Sequence, residues 1–367
     1  MSRSGAEAAW QAIWLQRGWL ARLLYPLSRI YRALVLHRRR RHARGGLPVQ
    51  RMPVPVIVVG NVVVGGAGKT PTVLALLEHL RAAGWRPGVV SRGHGRQGQG
   101  VLSVQPDTPA SEGGDEPTLI RQRAGVPVFV GRARADAARA LLSAHPEVNL
   151  LVCDDGLQHL SLGRDLAIAV FDDRGVGNGW LLPAGMLRET WPPRDGDPFA
   201  PQLVLRPADP VVPPCRPALT PGMKAFSVAR RLADTVLGAD GTRMPLDALK
   251  GVTVTAVAGV ARPQRFFDML RERGLQLGHT IPLPDHAAAS AYDVLADSPS
   301  ATVLCTEKDA VKLLPQMALR PPERRPALWV VPLELEIEPA FFAEVDRRLA
   351  ALAKGARLSS ADGHQTA

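Results

Sequence analysis

From about residue 53 the chain alternates short apolar runs with longer stretches in which apolar residues recur every three or four positions. The short runs are rich in Val, Ile and Leu and bounded by Gly, Pro or Asp, a pattern that predicts strands buried on both faces. They fall at 54–60, 87–91, 126–130, 149–153, 166–171 and 202–205. Helical periodicity lies at 72–83, 117–124 and 132–145. This alternation predicts an α/β fold: a mostly parallel sheet with helices on both faces. Prolines at 207, 210, 213, 214, 217 and 221 mark a junction. A second, smaller α/β unit follows, with strands expected at 252–259, 302–306 and 328–333 and helices at 263–273 and 341–353. The expected division is therefore a segment at 1–47, a core domain at 48–222, a second domain at 223–355 and a disordered tail at 356–367.

Residues 8–36 carry a different pattern. Trp10, Ile13, Leu20, Leu24, Leu27, Tyr31 and Leu34 share a helical face about 120° wide, with Arg22 and Arg29 opposite. Arg17 interrupts the pattern, and Pro26 is expected to split the segment into two helices. Four arginines within the stretch argue against a membrane-spanning helix, and charges inside the apolar region argue against a signal peptide. The polybasic run His37-Arg38-Arg39-Arg40-Arg41-His42-Ala43-Arg44 follows. Together they predict a helix lying in the plane of an anionic membrane surface. A core-packing helix with a solvated tail is the plainer alternative.

Composition narrows the choice. The 367 residues exceed one typical core, and 46% hydrophobic content fits a globular body. A formal charge of +11 would attract nucleic acid, anionic lipid or a phosphorylated substrate. Aromatic content of 5% and the lack of zinc-finger or RNA-binding spacing weigh against nucleic acid. Cys153, Cys215 and Cys305 show no paired spacing and read as reduced thiols of a cytosolic protein.

The chemistry is concentrated in Val56-Ile57-Val58-Val59-Gly60-Asn61 and the loop that follows, Val63-Val64-Gly65-Gly66-Ala67-Gly68-Lys69-Thr70. A buried strand, a glycine-rich turn ending in Gly-Lys-Thr and an apolar helix are the parts of a triphosphate-binding P-loop. Backbone amides and the helix N-terminus face the phosphates, Lys69 reaches the β/γ-phosphates of ATP, and the Thr70 hydroxyl can ligate Mg²⁺. Val63 stands where the usual pattern has its first glycine. A second strand ends in Cys153-Asp154-Asp155-Gly156, placing Asp154, Asp155 or both in the crevice where α/β ligands and their metal bind. Gly113-Gly114-Asp115-Glu116-Pro117 is a turn into a helix whose acids either favour the helix dipole or serve as a proton acceptor. Arg92 follows a strand end, where it could meet phosphate. The segments 182–189, 282–286 and 306–312 are individually weak signals, for which solvated loops are the default.

Taken in order, these segments resemble the tetraacyldisaccharide 4'-kinase family, the lipid A 4'-kinases of Gram-negative bacteria. The resemblance runs through Pro-Leu-Ser-X-X-Tyr (26–31), Val-Gly-Asn-Val-Val-Val-Gly-Gly-Ala-Gly-Lys-Thr-Pro (59–71), Ser-Arg-Gly-His-Gly-Arg (91–96) and Gly-Asp-Glu-Pro (114–117). It continues through Asp-Asp-Gly-Leu-Gln-His (154–159), Leu-Pro-Ala-Gly-Met-Leu-Arg-Glu (182–189), Ala-Gly-Val-Ala-Arg-Pro-Gln-Arg-Phe-Phe (258–267), Pro-Asp-His (284–286) and Thr-Glu-Lys-Asp-Ala-Val-Lys (306–312). The family lacks the first P-loop glycine as well, so Val63 agrees with it. The resemblance implies a P-loop kinase that uses ATP and Mg²⁺ to phosphorylate the 4'-hydroxyl of a tetraacyldisaccharide 1-phosphate. It implies Asp115 as the base for the sugar hydroxyl and His286 as its partner. It further implies Asp155, Gln158 and Glu189 with Thr70 around the metal, and Arg188 and Arg92 on the anionic substrate. A monomer at the cytoplasmic face of the inner membrane is expected, with no nucleic acid partner. His94 stands where the family usually has Tyr, and Leu157 where it has Phe. The spacing after His286 is longer than usual, so Tyr292 receives no role. The rival reading is a membrane-surface P-loop ATPase switch that positions partner proteins; a nucleic-acid-dependent ATPase would rest on charge alone.

Overall fold

The computed structural model describes residue 10 and residues 13–208, 216–297, 302–321 and 325–361. Cys215 and three of the junction prolines lie outside them, as do residues 8, 9, 11 and 12 of the N-terminal segment.

The first eight strands are β1 (Val56–Gly60), β2 (Pro87–Ser91), β3 (Leu102–Val104), β4 (Val128–Val130), β5 (Leu150–Asp154), β6 (Leu166–Val170), β7 (Leu203–Pro207) and β8 (Lys224–Leu232). The next six, β9 (Thr235–Gly238), β10 (Arg243–Pro245), β11 (Thr253–Ala258), β12 (Gln276–Pro282), β13 (Thr302–Thr306) and β14 (Ala327–Val331), form a separate sheet in the order β10-β9-β14-β13-β11-β12. The chain then returns to the first sheet as β15 (Leu333–Ile337), completing the order β15-β8-β7-β6-β1-β5-β2-β4-β3. Only the two edge strands, β3 and β15, run antiparallel to their neighbours there. The proline-rich junction thus links β7 to β8, two parallel neighbours of one sheet. The second sheet occupies Thr235–Val331, inside the expected 223–355.

Helices cover both faces because β1, β5 and β6 are apolar at nearly every position and buried along their whole length. Ile57 and Val59 of β1 face α2 (Lys69–Ala82) and α3 (Asp115–Ala124), with Phe341 and Val345 of the C-terminal helix in the same cluster. Val56 and Val58 face the other side, where α4 (Arg134–Ala144) packs. In the second unit α5 (Pro263–Glu272) lies on β11, and α6 (Glu307–Ala318) starts at Thr306 with a cap bond from the Asp309 N–H. The segment 306–312, for which a solvated loop was the default, is therefore the first turns of a helix. The last helix, α7 (Pro339–Ala361), runs into the stretch expected to be disordered, 356–367.

The N-terminal segment departs from expectation in two ways. Pro26 lies inside one continuous helix, α1 (Trp19–Ala43), and the break falls before it, at 16–18. Proline forgoes one hydrogen bond to the preceding turn, which a helix packed elsewhere along its length can tolerate. Second, the apolar residues divide between two faces. Ala21, Ser28, Arg39 and His42 are buried against the core domain, with Leu20, Leu24 and Tyr31 half-buried. Ser28 Oγ donates to Leu181 O at 2.8 Å. On the far side Trp19, Leu23, Leu27, Ile30 and Leu34 stand exposed, 54–77% of each in solvent. Leu27 and Leu34 thus leave the stripe expected to hold them with Leu20 and Leu24. Among the described residues no helix is long and apolar enough to cross a membrane.

Candidate active site

The P-loop leaves β1 at the centre of the sheet and enters α2 at Lys69. Its first part is held by an antiparallel bridge between Val63 and Leu187: the Val64 N–H donates to Met186 O at 2.9 Å and the Arg188 N–H to Val62 O at 2.7 Å. This explains Val63. The position is extended, fully buried and part of the core, so a β-branched residue suits it better than glycine. The Val64 amide is spent on the bridge, leaving Gly65 to Thr70 as the part of the loop able to face phosphate. Gly65 and Gly68 turn it at φ +90° and +91°, a region that favours glycine.

Asp154 and Asp155 end β5, the neighbour of β1, so they face the P-loop across one strand spacing. Asp155 Oδ1 is 3.6 Å from Lys69 Nζ and 3.5 Å from Arg188 Nη1. Burial raises the pKa of Asp155, but Lys69 and Arg188 outweigh it, and the carboxyl sits below its ordinary value. Asp154 is pushed up to about 7 by burial and by the charge of Asp155. The pair is thus split by environment into a firmly ionised carboxylate and one that resists ionisation. Oδ1 of each is buried without a hydrogen bond. Magnesium needs only one or two carboxylates alongside water and phosphate oxygens, so these two oxygens without hydrogen bonds, one of them 3.6 Å from Lys69, fit it.

Gln158 and Glu189 are committed differently. Gln158 Nε2 donates to Glu189 Oε1 at 2.6 Å and to Asn61 O at 3.0 Å, while Glu189 also pairs with Arg39 from α1. They brace the P-loop entrance and tie it to the N-terminal helix. Tyr31 adds a second tie, its hydroxyl donating to Arg188 O at 3.0 Å. Arg92 is exposed on the loop after β2.

Asp115 begins α3, one residue after Gly114. A Cβ on Gly114 would stand 3.0 Å from Gly93 Cα, so the two glycine backbones bring this helix start against the loop after β2. Ser91, at the end of β2, in turn donates to Asp154 Oδ2 at 3.5 Å. Asp115 therefore belongs to the same carboxyl edge of the sheet as the P-loop. From the second unit, His286 Nδ1 lies 3.0 Å and Lys312 Nζ 2.7 Å from Asp115 Oδ2. Both grip one oxygen, and no hydrogen bond engages Oδ1 among the described residues. Burial would raise the Asp115 pKa, but these two bonds win and hold it below the ordinary range. The bond to Asp115 in turn raises the pKa of His286 against burial and Lys308. Lys308 bridges Glu116 and Asp285, each at 2.8 Å, reinforcing the join.

Two of these residues carry backbone strain. Asp155 (φ +50°) and His286 (φ +58°) are the only non-glycine residues at positive φ among those described. Such outliers persist where surrounding structure holds a side chain in place for use. His94 packs edge-on against the His286 ring, 5.3 Å between centroids, so the departure from the family's Tyr still supplies a ring there. Tyr292 is buried and donates to Asp309 Oδ1 at 2.5 Å, a structural place. Glu116 was read from sequence only as one of two acids at a helix start, Lys308 and Lys312 only as members of the 306–312 motif, and Arg39 only as part of the polybasic run; none was given a place at the site.

A P-loop on a central parallel strand, an acidic neighbour-strand end and a clamped carboxylate opposite define a P-loop phosphotransferase of the α/β class. The family model for tetraacyldisaccharide-1-P 4'-kinase matches residues 20–350, and the chain belongs to that family. A tetraacyldisaccharide 4'-kinase of Polaromonas naphthalenivorans is 51% identical over 353 residues, covering 96% of this chain and 97% of that one. One from Methylibium petroleiphilum is 49% identical over 354 residues, covering 95% and 96%. The crystal structure of LpxK from Aquifex aeolicus in complex with ATP superposes with a TM-score of 0.73 at 27% identity, covering 90% of this chain and 99% of that one.

Proposed function

We propose that the chain transfers the γ-phosphoryl group of ATP to the 4'-hydroxyl of tetraacyldisaccharide 1-phosphate, giving the bisphosphorylated lipid IVA of lipid A biosynthesis. The observation that carries this reading is Asp115: a carboxylate on the nucleotide domain, gripped on Oδ2 by His286 and Lys312 of the second unit, with no hydrogen bond to Oδ1 among the described residues. An ATPase switch has no use for such an acceptor-side carboxylate.

In the proposed reaction the sugar O4' attacks the γ-phosphorus in line, its proton passes to Asp115 Oδ1, and the bond to the β–γ bridging oxygen breaks to release ADP. Lys69 and the P-loop amides hold the β/γ-phosphates, and Arg188 and Arg92 supply positive charge for the substrate's own phosphate. His286 and Lys312 orient Asp115 and favour its ionised form. Mg²⁺, held by Thr70 and Asp155 with Asp154 beside them, would neutralise charge on the transferred group, while Gln158 and Glu189 brace the loop.

The acyl chains of such a substrate stay in the bilayer, so the enzyme must come to them. The exposed stripe Trp19, Leu23, Leu27, Ile30 and Leu34 supports docking in the inner membrane, flanked by exposed Arg38, Arg40, Arg41 and Arg44 for anionic headgroups. The crevice would then open toward the cytoplasm and its ATP. One chain supplies every group named, so a monomer suffices.

The test is a kinase assay with γ-labelled ATP and the monophosphorylated disaccharide lipid in detergent. Label should move to the lipid. Lys69→Ala should lose both transfer and ATP affinity, whereas Asp115→Asn should lose roughly 10²–10⁴ in rate with ATP affinity within about twofold. Label found only in inorganic phosphate would favour the switch instead.

A further inference from the structure

Four guanidinium groups gather at the P-loop. Arg174 lies 3.2 Å from where a Cβ on Gly65 would stand, and Arg230 Nη2 lies 2.7 Å from the same point on Gly68, the residue before Lys69. Arg262 and Arg265 arrive from the second unit, whose Ala261 Cβ is 3.2 Å from a Cβ built on Gly66.

Two carboxylates serve these four cations. Asp172 holds Arg174 at 2.8 Å and lies 3.6 Å from Arg262. Asp173 pairs with Arg262, including an Nη2 contact at 2.6 Å, and with Arg265 at 3.0 Å. Arg230 is left over: it forms no ion pair or side-chain hydrogen bond among the described residues and feels Asp172 and Asp173 only at longer range. Its place is set by topology. β8 runs parallel to β7, which ends at the partner of Val228, so Arg230 lies beyond the pairing, at the carboxyl edge where α/β sheets bind ligands. A half-buried guanidinium beside Arg262 and Arg265 with no carboxylate paired to it is costly unless an anion meets it, and its planar fork suits phosphate oxygens.

We infer that Arg230 binds the β/γ-phosphate oxygens of the nucleotide, completing the cradle beside Gly68. The inference rests on the proposed use of ATP and adds to it a second phosphate-binding cation, delivered by the strand through which the chain passes into the second unit. Arg174, held by Asp172 over Gly65, forms the wall beside it.

Binding of ATP to the purified full chain, followed by calorimetry and by the nucleotide-induced rise in thermal midpoint, tests this with Arg230→Gln and Arg230→Lys. Arg230→Gln should weaken ATP binding about tenfold or more, and Arg230→Lys should recover part of the loss. In nucleotide-free buffer Arg230→Gln should melt no lower than the unsubstituted protein, because removing an uncompensated cation relieves repulsion from Arg262 and Arg265. ATP affinity within twofold of normal in Arg230→Gln would overturn the inference. So would a fall in nucleotide-free melting in both variants, which would mark the guanidinium as a structural strut. If the unsubstituted protein binds no ATP, the proposed function fails and this inference falls with it; failure confined to the variants counts against Arg230 alone.

Discussion

The exposed face of α1 offers the sharpest quantitative test of membrane docking. Leu23 and Ile30 are 67% and 60% exposed and sit centrally in the stripe. Full burial of such a side chain is worth about 2 kcal/mol, so each would transfer about 1.3 kcal/mol of its exposed surface on entering a bilayer boundary. Replacing both with Asn should therefore cost at least about 2.5 kcal/mol of partitioning, or about 70-fold in vesicle affinity. In water neither residue is covered, so the folded protein should lose no more than about 0.5 kcal/mol of stability for each change. Sedimentation with vesicles containing anionic phospholipid measures the first quantity, and denaturant unfolding the second. A change of less than about threefold in vesicle binding would refute docking through this face. A large loss of stability with unchanged binding would show instead that the face packs on protein.

Three further outcomes follow from the site. Lys312→Met removes one of two cations from Asp115 Oδ2; the Asp115 pKa should rise, moving the acid limb of the kcat/KM profile to higher pH, and an unmoved limb would discount the contact. The Asp115–His286 pair sets the direction of pH dependence on both sides, in a cluster that also includes Lys308, Lys312, Glu116 and Asp285. The depressed Asp115 contributes stability in full above its unfolded pKa of about 3.9 and loses it as pH falls through the lower folded value. The raised His286 contributes in full below about 6.5 and loses it as pH rises through the higher folded value. His286→Gln should thus abolish the His286 share of the alkaline loss in an unfolding series and also shrink the acid limb, which Lys312 alone would then sustain. Finally, Arg39→Ala leaves the buried Glu189 with half its partners. Breaking such a pair costs about 3–5 kcal/mol, and Arg39→Ala with Glu189→Gln together should recover part of it; denaturant midpoints of the three variants check this.

What was legible in the chain was whatever lies contiguous in it. The P-loop is eight residues between a strand and a helix, and Asp154-Asp155 ends a strand of unmistakable apolar character, so local pattern was enough to place both at one edge of a parallel sheet. Motif resemblance carried Asp115 and His286 as partners, and the pair meets across 171 residues. Lys312 and Arg39 were illegible because their partners lie 197 and 150 residues away, and a solvated lysine or arginine looks the same in sequence as one that clamps a carboxylate.

Periodicity also failed to say which side of α1 packs. Apolar residues occur on two faces of that helix, and only the position of the loops carrying Leu181 and Arg188 decides that Ser28 and Tyr31 turn inward. The same holds for the division of the chain: β8 and β15 join the first sheet because an edge with unpaired backbone groups was there to receive them, a fact about neighbours in space. Sequence by itself determined the glycine-rich turn between β1 and α2 and the most apolar strands of the first sheet, since backbone conformation and burial pattern are local properties; it missed β3, β8, β9, β10, β12, β15 and α6. Tertiary structure alone decided which charges meet, because an ion pair is defined by distance across the fold, and no spacing along the chain encodes it.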